Sequence, residues 1–107
     1  MEVRFTATFL RRLKALSKRY RKIQSDIQPI IEQLRCGNII GNQIPNTNLS
    51  LFKVRARNSD IPVGKSGGYR IIYQLISSES ILFLLIYAKS EQSDVSLKDI
   101  EAAIKKS

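Results

Sequence analysis

Apolar residues along this chain change their spacing several times, and each change marks an element. Val3, Phe5 and Ala7 alternate with Glu2, Arg4 and Thr6, the pattern of a short first strand with one buried face. From Thr8 the period becomes helical. Phe9, Leu13, Leu16 and Tyr20 form one stripe, while Arg11, Lys14, Lys18 and Lys22 lie on another face, which predicts an amphipathic basic helix. A second stripe, Ile23, Ile27, Ile30 and Leu34, predicts a second helix ending near Gly37, a residue suited to a left-handed C-terminal stop. The two helices are expected to form a hairpin. Pro29 falls inside the second stripe, so either the helix bends there or it begins late, with Asp26 as its cap and Pro29 in its first turn. The stripe starts before Asp26, which favours the bend.

Gly37 to Ser50 is rich in Asn and Gly, contains Pro45, and reads as a surface connection. Three strand-like runs follow: Phe52 to Arg57, Tyr69 to Leu75 and Ile81 to Tyr87. The first places Phe52, Val54 and Ala56 on one face and Lys53, Arg55 and Arg57 on the other. The third is apolar on both faces, as a central strand should be, and Ser77-Ser78-Glu79-Ser80 before it is short enough for a hairpin turn. An antiparallel meander is expected. Ser96-Leu97-Lys98-Asp99 has the form of a capping box, with Leu97, Ile100 and Ile104 as the buried stripe of a closing helix. The predicted fold is α+β: an antiparallel β-sheet of about four strands, an N-terminal helical hairpin on one side, and a short C-terminal helix. At 107 residues the chain is expected to form a single domain, residues 1–107.

Composition narrows the chemistry. Eighteen Lys and Arg against nine Asp and Glu give a formal charge of +9, which draws polyanions, chiefly nucleic acid. The chain has no His and one Cys, Cys36, so a zinc site has little to build on and no metal or cofactor is expected. Acid–base chemistry then falls to Lys, Arg, Tyr or the few carboxylates. The run Ile81 to Tyr87 is too short to cross a bilayer, and Met1-Glu2-Val3-Arg4 lacks the features of a secretory signal, so a cytoplasmic protein away from membranes is expected.

Gly64-Lys65-Ser66 suggests a phosphate loop, but that motif needs a glycine where Ser59 stands and a helix where Tyr69 to Leu75 alternates like a strand. It is rejected as such. Lys65 and the amides of Gly67 and Gly68 can still meet a phosphate, and a plain glycine turn is at least as good a reading. Lys53, Arg55 and Arg57 form the sharpest feature. Alone they describe a solvated strand face, but Arg70 opens the next strand and joins them if the two strands pair. Four cations on one patch cost stability unless an anion binds there. Tyr87 ends the last strand and Lys89 follows it, which brings a phenol and an ammonium to the exposed end of the sheet; an amphipathic tyrosine packed at the rim of the core is the equal alternative. Tyr73, in phase with Ile71 and Leu75, reads as core.

Three segments together resemble the RelE/ParE toxin superfamily, within it the RelE/HigB-like branch: Phe52 to Arg57, Gly64 to Tyr73 with its Gly-Gly-Tyr-Arg step, and Leu84 to Asp94 with Tyr87-Ala88-Lys89-Ser90-Glu91. The likeness is strong over about the last half and agrees in order and length over the helical first half. It implies an mRNA interferase acting in the ribosomal decoding site, an acidic cognate antitoxin, and a toxin–antitoxin complex of several chains. By position, Lys53 and Arg55 match the family's catalytic strand cations and Arg70 the arginine after Gly-Tyr. Ser90 and Ser96 stand where the best-known RelE enzymes carry an arginine and a functional tyrosine, which leaves Tyr87 or Lys89 as the candidate acid.

In the mechanism this implies, the RNA 2′-hydroxyl attacks the adjacent phosphorus. Lys53, crowded by Arg55, Arg57 and Arg70, assists proton removal; Arg55 and Arg70 hold the phosphorane; Tyr87 protonates the leaving oxygen. Arg57, Lys65 and Lys89 bind neighbouring RNA. A gyrase inhibitor of the ParE type and a non-catalytic RNA- or ribosome-binding protein are the alternatives that share the charge.

Overall fold

The computed structural model describes residues 1–61 and 67–105. Among them lie three helices and one five-stranded sheet. Strand β1 (Glu2–Phe5) leads into α1 (Ala7–Ser17) and α2 (Ile23–Arg35); β2 (Asn42–Gln43), β3 (Leu51–Ala56), β4 (Tyr69–Ser77) and β5 (Ser80–Ala88) follow, then α3 (Leu97–Lys105). The strand order is β1-β5-β4-β3-β2.

The expected meander β3-β4-β5 is present and antiparallel. Two features differ from the expected four antiparallel strands. β1 pairs parallel to β5, Val3 opposite Ile81, and the two-residue β2 adds a fifth strand on the far edge. Alternation tells which face a side chain takes but carries no strand direction, and two residues are too few to alternate.

β1 also ends two residues earlier than the alternation suggested, because Thr6 caps α1. Its hydroxyl accepts from the Phe9 amide (2.9 Å) and donates to the Leu84 carbonyl (2.7 Å), pinning the strand-to-helix corner to the middle of β5. α2 runs through Pro29 and starts before Asp26, as its stripe implied. Asp26 caps no helix; its carboxylate accepts from the Ser59 amide and hydroxyl, both at 2.9 Å. Gly37 takes the left-handed conformation (φ 93°), and the Asn38 amide reaches back to the Gln33 carbonyl at 3.0 Å, closing α2 as a Schellman stop. The capping box of α3 forms in both directions, Asp99 amide to Ser96 Oγ and Ser96 amide to Asp99 Oδ2.

Two cores cover the two faces of the sheet. Phe9, Ile23, Ile27 and Leu34 of the helical hairpin pack on Val54, Tyr69, Ile71, Tyr73, Phe83 and Ile86. Ile100 and Ala103 of α3 pack on Leu51, Ile72, Leu84, Leu85 and Tyr87. Opposite Ile72 and Tyr73 stand Leu85 and Phe83, so Leu84 is unopposed, a bulge that lets two successive leucines face α3. Tyr73 is core as expected, with its hydroxyl donating to the Ile40 carbonyl. No helix among the described residues is long and apolar enough to cross a membrane.

Candidate active site

The face that α3 leaves uncovered at one end of the sheet carries the cations. Arg55 on β3 stands directly opposite Arg70 on β4, and Arg70 directly opposite Tyr87 on β5. One cross-strand row thus holds two guanidinium groups and a phenol. Lys53 lies two residues along β3 from Arg55, on the same face and opposite Ile72. The four candidate catalytic residues are therefore neighbours, and the pairing of β3 with β4 that would bring Arg70 into the row is present.

Each is held differently. Tyr87 is 3% exposed, so its ring is both a part of the α3 core and the floor of the site. Arg70 is half-buried, its guanidinium donating to the Gly67 carbonyl at 2.6 Å. Arg55 is exposed, and among the described residues its guanidinium makes no hydrogen bond or ion pair. Arg57 is likewise exposed and sits just past the end of β3. Lys89 follows β5 and donates to the Ser93 carbonyl at 2.6 Å, bracing the loop that leads to α3. Lys65, with Gly64 and Ser66, lies outside the described residues.

The sequence reading missed Asp94. One oxygen of its carboxylate accepts from Lys53 Nζ (2.9 Å), the Tyr87 hydroxyl (3.3 Å) and the Val95 amide (2.8 Å). The Lys53 ammonium and the Val95 amide hold this carboxyl below its ordinary value. Burial pushes the Tyr87 phenol up, with Lys53 pulling the other way and Asp94 adding to the rise, so Tyr87 stays a protonated donor at neutral pH. No spacing rule could have found Asp94, which is 41 residues from Lys53 along the chain.

Two further contacts fix the loop after β5. Glu91 Oε2 accepts from the Tyr20 hydroxyl and from Arg19, both at 2.7 Å, tying this loop to the turn between α1 and α2. On the other side Gly68 (φ 64°) lies between two strand ends: its carbonyl accepts from the Lys89 amide at 3.0 Å, and a Cβ there would sit 2.2 Å from the Ala56 carbonyl oxygen. Gly67 and Gly68 form a shaped turn into β4, so Arg70 starts from a fixed backbone.

The Lys53–Asp94 pair has a pH signature. A carboxyl lowered on folding stabilises the fold above its ordinary value of 3.8 and loses that contribution as pH falls through and below it. Asp94 is 62% and Lys53 33% exposed, so solvent screening keeps the effect below about 1 kcal/mol. Urea denaturation should show wild type more stable than Asp94→Asn at pH 7, with the gap closing between about pH 5 and 3. A gap that stays constant over that range would mean the ion pair contributes nothing.

No family model matches the chain, and no curated protein matches its sequence.

Proposed function

We propose that this chain is a ribosome-dependent mRNA endoribonuclease, a cytoplasmic toxin of the RelE/ParE type silenced by an acidic antitoxin. The observation that carries the nuclease reading is the row Arg55, Arg70, Tyr87 with the Lys53–Asp94 pair beside it. Guanidinium groups directly opposite one another across a strand pair destabilise the sheet unless an anion lies between them, and an RNA phosphate is such an anion. Action on the ribosome and control by an antitoxin come from the family resemblance, and the +9 charge suits an acidic partner.

The row also supplies a closed proton cycle. Arg55 and Arg70 neutralise the phosphorane as the 2′-oxygen bonds to phosphorus. Lys53 assists removal of the 2′-hydroxyl proton, which passes to the Asp94 carboxylate. Tyr87 gives its proton to the 5′-oxygen as the bond from phosphorus to that oxygen breaks, and recovers one from Asp94 across their hydrogen bond. The products are a 2′,3′-cyclic phosphate and a 5′-hydroxyl. Arg57, Lys65 and Lys89 hold flanking phosphates.

Expression without an antitoxin should arrest growth by cutting translated mRNA. Primer extension on a reporter message should show cuts that vanish when the ribosome cannot bind it. Cutting should persist in EDTA under conditions that keep ribosomes intact, with a cyclic phosphate on the 5′ fragment. A 3′-hydroxyl end would overturn the 2′-hydroxyl mechanism. Growth arrest with intact mRNA and gyrase-dependent DNA breaks would replace the nuclease by a gyrase inhibitor.

A further inference from the structure

Beside the Lys53–Asp94 pair opens a cleft of about 430 Å³ between the β2 edge and the start of α3. That volume lies within the roughly 300–1,000 Å³ of small-molecule sites. Its walls are of two kinds. Ile44, Val95, Leu97 and Ile100 give aliphatic surface, with Leu97 37% exposed although it is the first residue of α3. Asn42 of β2, paired with Lys53 and therefore on its face, brings a carboxamide to the rim, and Asn46 lines the cleft beyond it. In a chain with twice as many cations as acids, Lys53 is the only cation among the described residues that line this cleft.

We infer that this cleft is the binding site for the nucleobase next to the scissile phosphate. The inference rests on the proposed nuclease reading and assigns its base selectivity. A second phosphate would need cations, and the cleft offers one, already shared with the phosphate site. A nucleobase is uncharged, flat and edged with hydrogen-bonding groups, so aliphatic walls suit its faces and carboxamides suit its edge. An Asn carboxamide presents a donor and an acceptor side by side, the pairing that reads base edges in unstacked RNA. Because Lys53 and Asp94 line both sites, one nucleotide can place its phosphate on the cation row and its base in the cleft.

β2 pairs with β3 through its backbone and the Asn42 side chain is exposed, so Asn42→Ala keeps the fold. In ribosome-bound cleavage of messages randomised around the cut, wild type should prefer certain bases at one flanking position. Asn42→Ala should lose at least fivefold of that preference while still cutting. In parallel, the full chain labelled with nitrogen-15 is titrated with a trinucleotide made uncleavable by 2′-deoxy sugars. Amide shifts at Ile44, Val95 and Leu97 together with Arg55 and Arg70 are the expected result. Shifts confined to the cation row, with base preference unchanged in the variant, overturn the base site and leave the nuclease standing. A wild type that neither cuts nor shifts at Arg55 and Arg70 overturns both.

Discussion

Arg70→Ala is expected to slow cleavage of bound RNA about a hundredfold, the ~3 kcal/mol that comparable transition-state donors contribute, while leaving the fold intact. Arg70 is the middle member of its row, opposite Arg55 on one side and Tyr87 on the other, so its guanidinium is the one that a phosphate seated on the row cannot avoid. It is half-buried and anchored on the Gly67 carbonyl, so its orientation is already set within the protein. Its aliphatic stem leaves little packing to lose. Single-turnover cleavage on ribosomes, compared with a thermal melt of the same variant, separates the two effects. Arg12→Ala and Lys18→Ala, on and just after α1, should weaken ribosome binding slightly and in a salt-dependent way, and leave the rate on bound ribosomes unchanged. Tyr87→Phe keeps the ring on the α3 core and loses the hydroxyl that faces Asp94, so its loss of rate reads the proton cycle directly. Near-normal activity of that variant would move the acid to Lys89. Equal and mild losses at Arg70, Tyr87, Arg12 and Lys18 would sink a localised active site and favour a non-catalytic RNA-binding protein.

Gly68→Ala is expected to destabilise the protein by about 3 kcal/mol or more, a fall in melting temperature of roughly 10–20 °C for a domain of this size. Two independent penalties meet at this residue. Its φ of 64° puts any Cβ in the left-handed region, and that Cβ would lie 2.2 Å from the oxygen and 3.2 Å from the carbon of the Ala56 carbonyl. Backbone atoms of a sheet cannot step aside as a flexible side chain can, so the start of β4 must shift. Gly37→Ala is the control. It is also left-handed, at φ 93°, but nothing lies within 4 Å of its Cβ position, so only the conformational cost of about 1 kcal/mol applies. Circular dichroism melts of the two variants should differ accordingly, and equal losses would show that the Ala56 contact does not matter.

Much of this molecule was determined locally and could be read from the chain. The two helical stripes, the alternation of Lys53, Arg55 and Arg57, the Gly37 stop and the Ser96 capping box each depend on residues a few positions apart, so spacing alone specifies them. The meander followed from a short turn between β4 and β5 and from three strands in sequence, and it carried the pairing of Arg55 with Arg70 along with it. Tertiary structure decided the rest, because those features join residues that the chain keeps apart. The direction of β1 against β5 is invisible to alternation, which looks the same in either sense. The Leu84 bulge is invisible in a strand that is apolar on both faces, since slipping it by one residue still buries a leucine. Asp94 reaches Lys53 and Tyr87 only because the loop after β5 turns back over the sheet, held by Lys89 and Glu91. The pattern of charges determined that one strand face would be cationic; the folded chain decided that one acid would sit within it, and where.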